Sequence, residues 1–216
     1  MRFGERLAEA RSRSPLVIGL APVLSRLPYP IQRYDEPLLP FGKAVIDATA
    51  DLVCGYVFHL SAYLALGAAG AVAMERTIAY APGSVLKILH GPFASPDYAP
   101  AAFENAFIVD AVTLIAYGSD ARHQLIRAYV ELPQHGVFIE SPPGFDLQPI
   151  LKDYPGQIGI YRQTAPDQGM IGLSPAPFPD MAWHWGSSIY TSQGDDFRDA
   201  LRLAATRLRQ PDKASS

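Results

Sequence analysis

Residues 41–80, FGKAVIDATADLVCGYVFHLSAYLALGAAGAVAMERTIAY, decide the fold class because they predict a helix, a strand and a second helix in immediate succession. The stretch GYVFHLSAY is aromatic and apolar, and it predicts a buried strand between the two helices. The second helix ends before Pro82 and Gly83, a pair that breaks helices. Short strands that alternate with helices are typical of an α/β protein with a parallel sheet.

The same alternation continues on both sides of this stretch. The apolar run PLVIGLAP, closed by Pro22, is typical of a parallel strand that is buried on both faces. Further strands are predicted at SVLKILHG, VDAVTLIAYG, HGVFIES and GQIGIYRQT, with weaker candidates at MIGLSPAP and DMAWHWGSSIY. About eight strands in 216 residues predict an α/β fold, a compact (β/α)8 TIM-type barrel. The region 141–187 is too short for full βα units, so we expect some of its helices to be reduced to loops.

The carboxyl-terminal stretch GDDFRDALRLAATRLRQ predicts a closing helix. Asp195 and Asp196 lie in its first turn and arginines crowd its last turn, which is the favourable arrangement for the helix dipole. We expect residues 1–210 to form a single barrel domain and residues 211–216 to be a flexible tail.

Charge and composition argue against several kinds of partner. The formal net charge is −3, the pI is near 5.9 and no basic run is present, so we expect no nucleic-acid partner. The longest apolar stretch, LSAYLALGAAGAVAM, is shorter than the roughly 18 residues that span a membrane, so we expect no membrane partner. Cys54 is the one cysteine and we interpret it as a small buried residue. A chain without an internal disulfide fits a reducing compartment, so we expect a cytoplasmic protein.

Several segments, taken together, resemble the bacterial orotidine 5′-monophosphate decarboxylase family. They are FGERLAEARSRSPLVIGLAP, residues 41–80 with ALGA and ERTI, AAFENAFIVDAVTL, GVF and GDDFRDALRLAATRLR. The likeness is thin between residues 141 and 186, and the chain is shorter than typical members. The resemblance implies a barrel that converts orotidine 5′-monophosphate to UMP without a cofactor, and it implies a homodimer.

The residues that carry the family's chemistry differ on the first two strands. The family's first strand ends in an aspartate, where this chain has Ala21. Its second strand carries Lys-Pro-Asn, where this chain has Val57, Phe58 and His59. The resemblance therefore covers the scaffold better than the reacting groups.

The third strand also lacks the family's pattern Asp-x-Lys-x-x-Asp. One alignment puts Ile88 at the first aspartate, His90 at the lysine and Phe93 at the second aspartate. Another alignment puts Lys87 at the lysine, but then Val85 and His90 stand at the two aspartates. Neither alignment restores the alternating charges that act on the substrate carboxylate.

The phosphate-binding arginine of the family's eighth strand has no counterpart, since Gly186 or Ser187 aligns with it. The family's strand-six pattern Gly-Ala-Thr-x-Pro survives only as Thr164 and Pro166. Decarboxylation without a cofactor depends on preorganised charge around the leaving carboxylate and the developing carbanion. We therefore expect no decarboxylation of orotidine 5′-monophosphate.

Other polar residues fall at the carboxyl ends of predicted strands, where barrel enzymes have their active sites. The candidate catalytic residues are His59, His90, Glu140 and His184. The candidate substrate-binding residues are Tyr117, Arg162, Thr164, Trp183 and Trp185. Period-two alternation predicts that His59 and His90 point into the barrel on neighbouring strands. Imidazoles titrate near neutral pH, so such a group of side chains could form an acid–base site.

Two other interpretations of these residues stay open. The polar residues could merely cap a barrel whose pocket has become apolar, as Val57, Ile88 and Phe93 indicate. Alternatively, His59, His90 and Glu140 could form a two-histidine, one-carboxylate metal set, but the chain has no local ligand motif. We predict no metal and no cofactor.

Two functions remain on this basis. The first is a repurposed small-molecule enzyme, namely a lyase, cyclase or isomerase of specialised metabolism that uses acid–base chemistry. The second is a non-catalytic pseudoenzyme that acts as a binding or regulatory module. An apolar, less cationic pocket favours a neutral or apolar small-molecule ligand in either case.

Overall fold

The computed structural model describes residues 1–93, 95–114, 120–140, 148–165, 168–173 and 181–209, with backbone alone at 92, 120–123, 148–150, 162–165 and 168–173. Eight strands close into one barrel in the order β1 to β8. The strands are β1 (Leu16–Leu20), β2 (Gly55–His59), β3 (Leu86–Phe93), β4 (Ala111–Leu114), β5 (Gly136–Glu140), β6 (Ile158–Ala165), β7 (Gln168–Leu173) and β8 (Met181–His184). The predicted α/β barrel is therefore confirmed.

Helices connect most of these strands. They are α1 (Phe3–Arg13), α2 (Tyr29–Gln32), α3 (Leu38–Thr49), α4 (Leu60–Leu64), α5 (Gly67–Tyr80), α6 (Asp120–Val130), α7 (Gln148–Asp153) and α8 (Phe197–Arg209). A π-helical turn, Ala101–Asn105, stands between β3 and β4, where the sequence predicts a short helix. Within the described ranges, none of the helices has the length and apolar character needed to cross a lipid bilayer.

Strand β7 runs in the opposite direction to the other seven. It pairs antiparallel with both β6 and β8, whereas the pairs from β1 to β6 and the pair of β8 with β1 are parallel. Only residues 166–167 separate β6 from β7, and only residues 174–180 separate β7 from β8. A parallel connection needs a crossover of a dozen or more residues, so these connections permit only antiparallel neighbours. The expected loss of helices from this region has thus reversed a strand.

The side chains of the barrel form two separate cores because successive residues of a strand point to opposite faces. One core fills the barrel interior and includes Val17, Val57, Ile88 and Phe138. The other lies between the strands and the helices, and it includes Ile18, Phe58, Leu89 and Ile139. Each strand residue can therefore be assigned to the barrel interior or to the outer core. The inward residues nearest the carboxyl ends of the strands line the open end of the barrel, which we call the mouth.

Helix α1 closes the amino-terminal end of the barrel. Phe3, Leu7 and Ala10 belong to the interior core, and the Phe3 ring packs edge-on against Phe138 at 6.2 Å. The first residue of β5 is Gly136, where a Cβ atom would lie 2.2 Å from the Phe3 ring. This end of the barrel is therefore sealed, so we look for a functional site at the opposite end. The predicted tail, residues 211–216, lies outside the described residues.

Candidate functional site

Two histidines stand side by side at the carboxyl ends of β2 and β3. His59 ends β2, and His90 is its register partner on β3. Both share the inward parity of Val57 and Ile88, which belong to the interior core. Their ring centroids are 4.3 Å apart, and both side chains are half-buried. The structure thus brings the two predicted histidines together in the barrel mouth.

The two imidazoles differ in their hydrogen-bond partners. Thr113, which is fully buried on β4, lies 2.9 Å from Nδ1 of His90 through its Oγ1. The Nε2 atom of His59 is buried and makes no hydrogen bond with the part of the chain that the structure describes. One ring is therefore oriented by a neighbour, whereas the other keeps a ring nitrogen available.

Aromatic rings surround the histidine pair. The Trp183 ring lies 5.3 Å from His90 and 5.9 Å from His59, and Tyr161 meets His90 edge-on at 5.8 Å. Trp185 lies 5.8 Å from His59 and 5.1 Å from Trp183. The predicted binding residues Trp183 and Trp185 are thus both in contact with the pair.

The two indoles fit because β1 has a glycine at this level. A Cβ atom at Gly19 would lie 2.8 Å from Nε1 of Trp183 and 3.0 Å from Cβ of Trp185. Trp183 is 1 % exposed, and its Nε1 has no hydrogen-bond partner among the described residues. The upper interior of the barrel is therefore filled by rings, and the Trp183 indole has a buried N–H without a described partner.

Burial keeps both histidines uncharged at neutral pH. Desolvation, the larger cause, and the neighbouring His90 together lower the pKa of His59 to about 3. Desolvation also lowers the pKa of His90 to about 4. A neutral imidazole offers one N–H donor and one acceptor, and it can polarise a carbonyl. Such low pKa values make the pair poor proton carriers near pH 7, because general acid–base groups work best when their pKa is near the working pH.

The structure does not bring His184 to this pair. His184 is opposite Ile18 of the outer core, whereas Trp183 is opposite Val17 of the interior core. The alternation of β8 therefore turns His184 away from the mouth, contrary to our expectation. It is buried, and desolvation lowers its pKa.

The remaining candidates have different outcomes. Glu140 ends β5 on the same face as Phe138, and it is exposed at the rim. Arg162 and Thr164 belong to β6, but their side chains lie outside the described part of the structure. Tyr117 lies outside it altogether. The roles predicted for these residues stay predictions.

The alternative metal set is not formed. Across the described ranges, no group of three or more His, Cys, Asp or Glu side chains is close enough to hold a metal ion. His59, His90 and Glu140 are all described, and together they do not form such a group.

Thr113 and Tyr161 contact His90 but are not among the candidate catalytic and binding residues named from the sequence. Both have inward parity, and Thr113 is the polar residue in the otherwise apolar strand Ala111–Leu114. That isolated hydroxyl was the available signal for Thr113. Nothing local marked Tyr161, because its contact with His90 joins β6 to β3 across the barrel.

Comparison with known proteins agrees with this fold. An orotidine 5′-phosphate decarboxylase of Thermomicrobium roseum is 30% identical over 269 residues, covering 97% of this chain and 94% of the relative. The Herpetosiphon aurantiacus enzyme of that name is 38% identical over 158 residues, covering 68% of this chain but 57% of the relative. No family model matches the chain.

A solved structure from Streptomyces avermitilis, provisionally assigned as orotidine 5′-phosphate decarboxylase, covers 96% of this chain and 93% of its own. Its TM-score is 0.72 at 20% identity, which supports the barrel fold. The protein is thus a TIM-type barrel with a candidate site at the carboxyl ends of the strands. Within that class, the chain belongs to the orotidine 5′-phosphate decarboxylase family. The alignment with the T. roseum relative is longer than this chain, so the relative has segments without a counterpart here.

Proposed function

We propose that this family member binds a neutral or apolar small molecule in its barrel mouth and does not decarboxylate orotidine 5′-monophosphate. The observation that carries the proposal is the uncharged pair of His59 and His90 at inward, adjacent positions. The resemblance expects an asparagine at the position of His59 and a lysine or an aspartate at the position of His90.

The electrostatics of the mouth support this proposal. The inward positions of the described strands β1 to β5 and β8 contain no lysine, arginine or aspartate. A substrate that carries a carboxylate and a phosphate would meet no fixed positive charge there, and an uncompensated buried anion is costly. Barrels often bind phosphate in the loops after strands 7 and 8. Because β7 is reversed, its carboxyl end lies at the closed end of this barrel.

The shape and polar atoms of the mouth indicate the ligand's chemistry. Indole and imidazole rings present flat surfaces, which favour a planar molecule. The unpartnered Nε2 of His59 and Nε1 of Trp183 would each gain a hydrogen bond from a polar atom of that molecule. We infer a planar ligand with few polar groups.

Catalysis by this pair is the second candidate function, and the contact between Thr113 and His90 favours it. A fixed, neutral imidazole could polarise a carbonyl in a lyase, cyclase or isomerase reaction. Proton transfer through the same ring would require the ligand to raise its pKa toward neutrality. Without that rise, the protein acts as a non-catalytic binding or regulatory module.

We also propose that the chain forms a homodimer. Exposed apolar side chains gather around α4 on the carboxyl-terminal side of the barrel. They are Val23, Leu24, Leu64 and Tyr98, which are 43% to 55% exposed. Sedimentation equilibrium should give twice the chain mass of 23.5 kDa, and a monomer at all concentrations would contradict this.

Native mass spectrometry of freshly purified protein tests the ligand proposal. We expect an organic adduct that is lost on denaturation and is lost from the native spectrum of H59Q/H90Q. H135Q is the matched control, because His135 stacks on Phe103 away from the mouth. An adduct that the double variant retains in full would place the ligand elsewhere and overturn the proposed site.

A further inference from the structure

A second cavity lies beside the mouth, between the loops that follow β1 and β8. Its volume is about 400 Å³, within the roughly 300–1,000 Å³ of small-molecule sites. Ala21, Val23, Leu27, Phe41 and Trp185 provide its apolar walls. Trp185 also contacts His59, so one indole separates this cavity from the histidine pair.

Hydrogen bonds hold the two loops of the cavity together. The Gln193 side chain donates to the carbonyl of Arg26 at 2.8 Å, and the Tyr29 N–H donates to the carbonyl of Gln193 at 2.7 Å. The Tyr190 hydroxyl donates to the carbonyl of Gly19 on β1 at 2.9 Å, and its ring contacts Phe41. The cavity is therefore built by fixed contacts and is open before any ligand arrives.

Arg26 is the charged residue that lines this cavity. Its side chain makes no hydrogen bond or ion pair with the described residues. The neighbouring polar groups are already engaged, since Ser192 donates to Asp196 at 2.6 Å and Gln193 donates to Arg26. A guanidinium at the rim of an aromatic-walled cavity complements one anionic group attached to an apolar body.

We propose that this cavity binds a small aromatic acid, with its ring system against Trp185 and Phe41 and its anionic group on Arg26. Neither His59 nor His90 lines this cavity, so it is a different site from the histidine pair, although the two share Trp185. An inorganic anion alone lacks the apolar body, so it is not the expected occupant.

Two fluorescent probes that differ by one charge test the proposal. The first is 1-anilinonaphthalene-8-sulfonate, and the second is N-phenyl-1-naphthylamine, which has the rings without the sulfonate. For the sulfonate we expect saturable binding to one site per chain. In R26Q its Kd should rise roughly tenfold, the effect of losing one charge-assisted hydrogen bond. The Kd of the neutral probe should change less than about twofold, because the apolar walls are unchanged.

R33Q is the matched control, because Arg33 is exposed at the end of α2 and does not line the cavity. The Kd of both probes should be unchanged in R33Q. A21F, which fills the cavity, should abolish binding of both probes, whereas H59Q/H90Q should leave it intact. Equal Kd values for the sulfonate in R26Q and the original protein would overturn the proposal, as would competition by millimolar inorganic phosphate.

Discussion

The two ends of the barrel interior use their polar groups in opposite ways. At the closed end, Arg6 of α1 lies 2.7 Å from Asp110, and it also donates to the carbonyls of Gly83 and Val85 at 3.0 and 3.1 Å. At the mouth, His59 and Trp183 each have a buried nitrogen without a described partner. Buried polar atoms are normally paired, so an unpaired group needs a functional explanation.

This difference separates stability from function within one barrel. The closed end is packed and contains an ion pair that links α1 to the start of β4. The mouth is packed as well, but with uncharged rings, and the buried Nε2 of His59 and Nε1 of Trp183 have no partner among the described residues. In TIM-type barrels the carboxyl-terminal end carries the site, and the buried nitrogens of His59 and Trp183 lie at that end of this barrel.

Acid should lower the free energy of unfolding more than any of the substitutions described below. Because the folded-state pKa values of His59 and His90 are about 3 and about 4, the unfolded chain binds more protons below its ordinary histidine pKa of about 6.5. The free energy of unfolding should therefore fall as the pH decreases from about 6.5 toward 4. We expect the melting temperature to drop by about 10 °C between pH 7 and pH 4.5.

The H59Q/H90Q variant isolates the histidine contribution to that loss. Differential scanning calorimetry across the same pH range should show a shallower decrease for the double variant. If the decrease had the same slope in both proteins, the histidines would titrate normally, and the description of an uncharged mouth would be wrong.

G136A should produce the largest effect of a single substitution, at the closed end. Its Cβ atom would lie 2.2 Å from the Phe3 ring, so α1 must move away from the end of the barrel. We expect a loss of about 3 kcal/mol in the free energy of unfolding, measured by urea denaturation. G83A is the control, because a Cβ atom there meets nothing within 4 Å, and it should change stability by less than about 0.5 kcal/mol.

G19A should have a smaller effect, at the mouth. The added Cβ presses on Nε1 of Trp183 and on Trp185, and we expect a loss of about 2 kcal/mol. The chain has two tryptophans and both are in the mouth, so tryptophan fluorescence, excited selectively over tyrosine, reports on this site. A G19A protein with an unchanged emission spectrum would contradict the packing described here, whereas G136A should leave the spectrum nearly unchanged.

T113V should have the smallest effect on stability, about 1 kcal/mol, since it removes one hydrogen bond while keeping the side-chain volume. Its expected signature is in the His90 ring, because Thr113 Oγ1 is the described partner of Nδ1. Nitrogen chemical shifts of the His90 imidazole should change in T113V, while those of His135 should not. Unchanged His90 shifts would show that Thr113 does not orient the ring.

Much of this arrangement could be predicted from the sequence, because it depends on local patterns. The apolar runs and their helical partners predicted the barrel, and period-two alternation predicted the inward side of His59 and His90. The same alternation, applied to β8, separates His184 from Trp183 and Trp185, but all three were grouped as site candidates. Register with β1 resolves this, and it is a non-local property.

Other features could not be predicted from local patterns. The reversal of β7 follows from two short connections, but their lengths are known only when the strand ends are known. The low pKa values of His59 and His90 arise from rings on β6 and β8 that meet them across the interior. The cavity beside Arg26 similarly requires loops that are far apart in the chain.

A decarboxylation assay tests the central claim most directly. The purified protein and the Thermomicrobium roseum relative would be incubated in parallel with orotidine 5′-monophosphate, and UMP would be quantified by chromatography. We expect UMP formation by the relative and none above the enzyme-free rate by this protein. UMP formation by this protein that disappears in H59Q/H90Q would contradict the account, because an uncharged mouth would then perform the family's reaction.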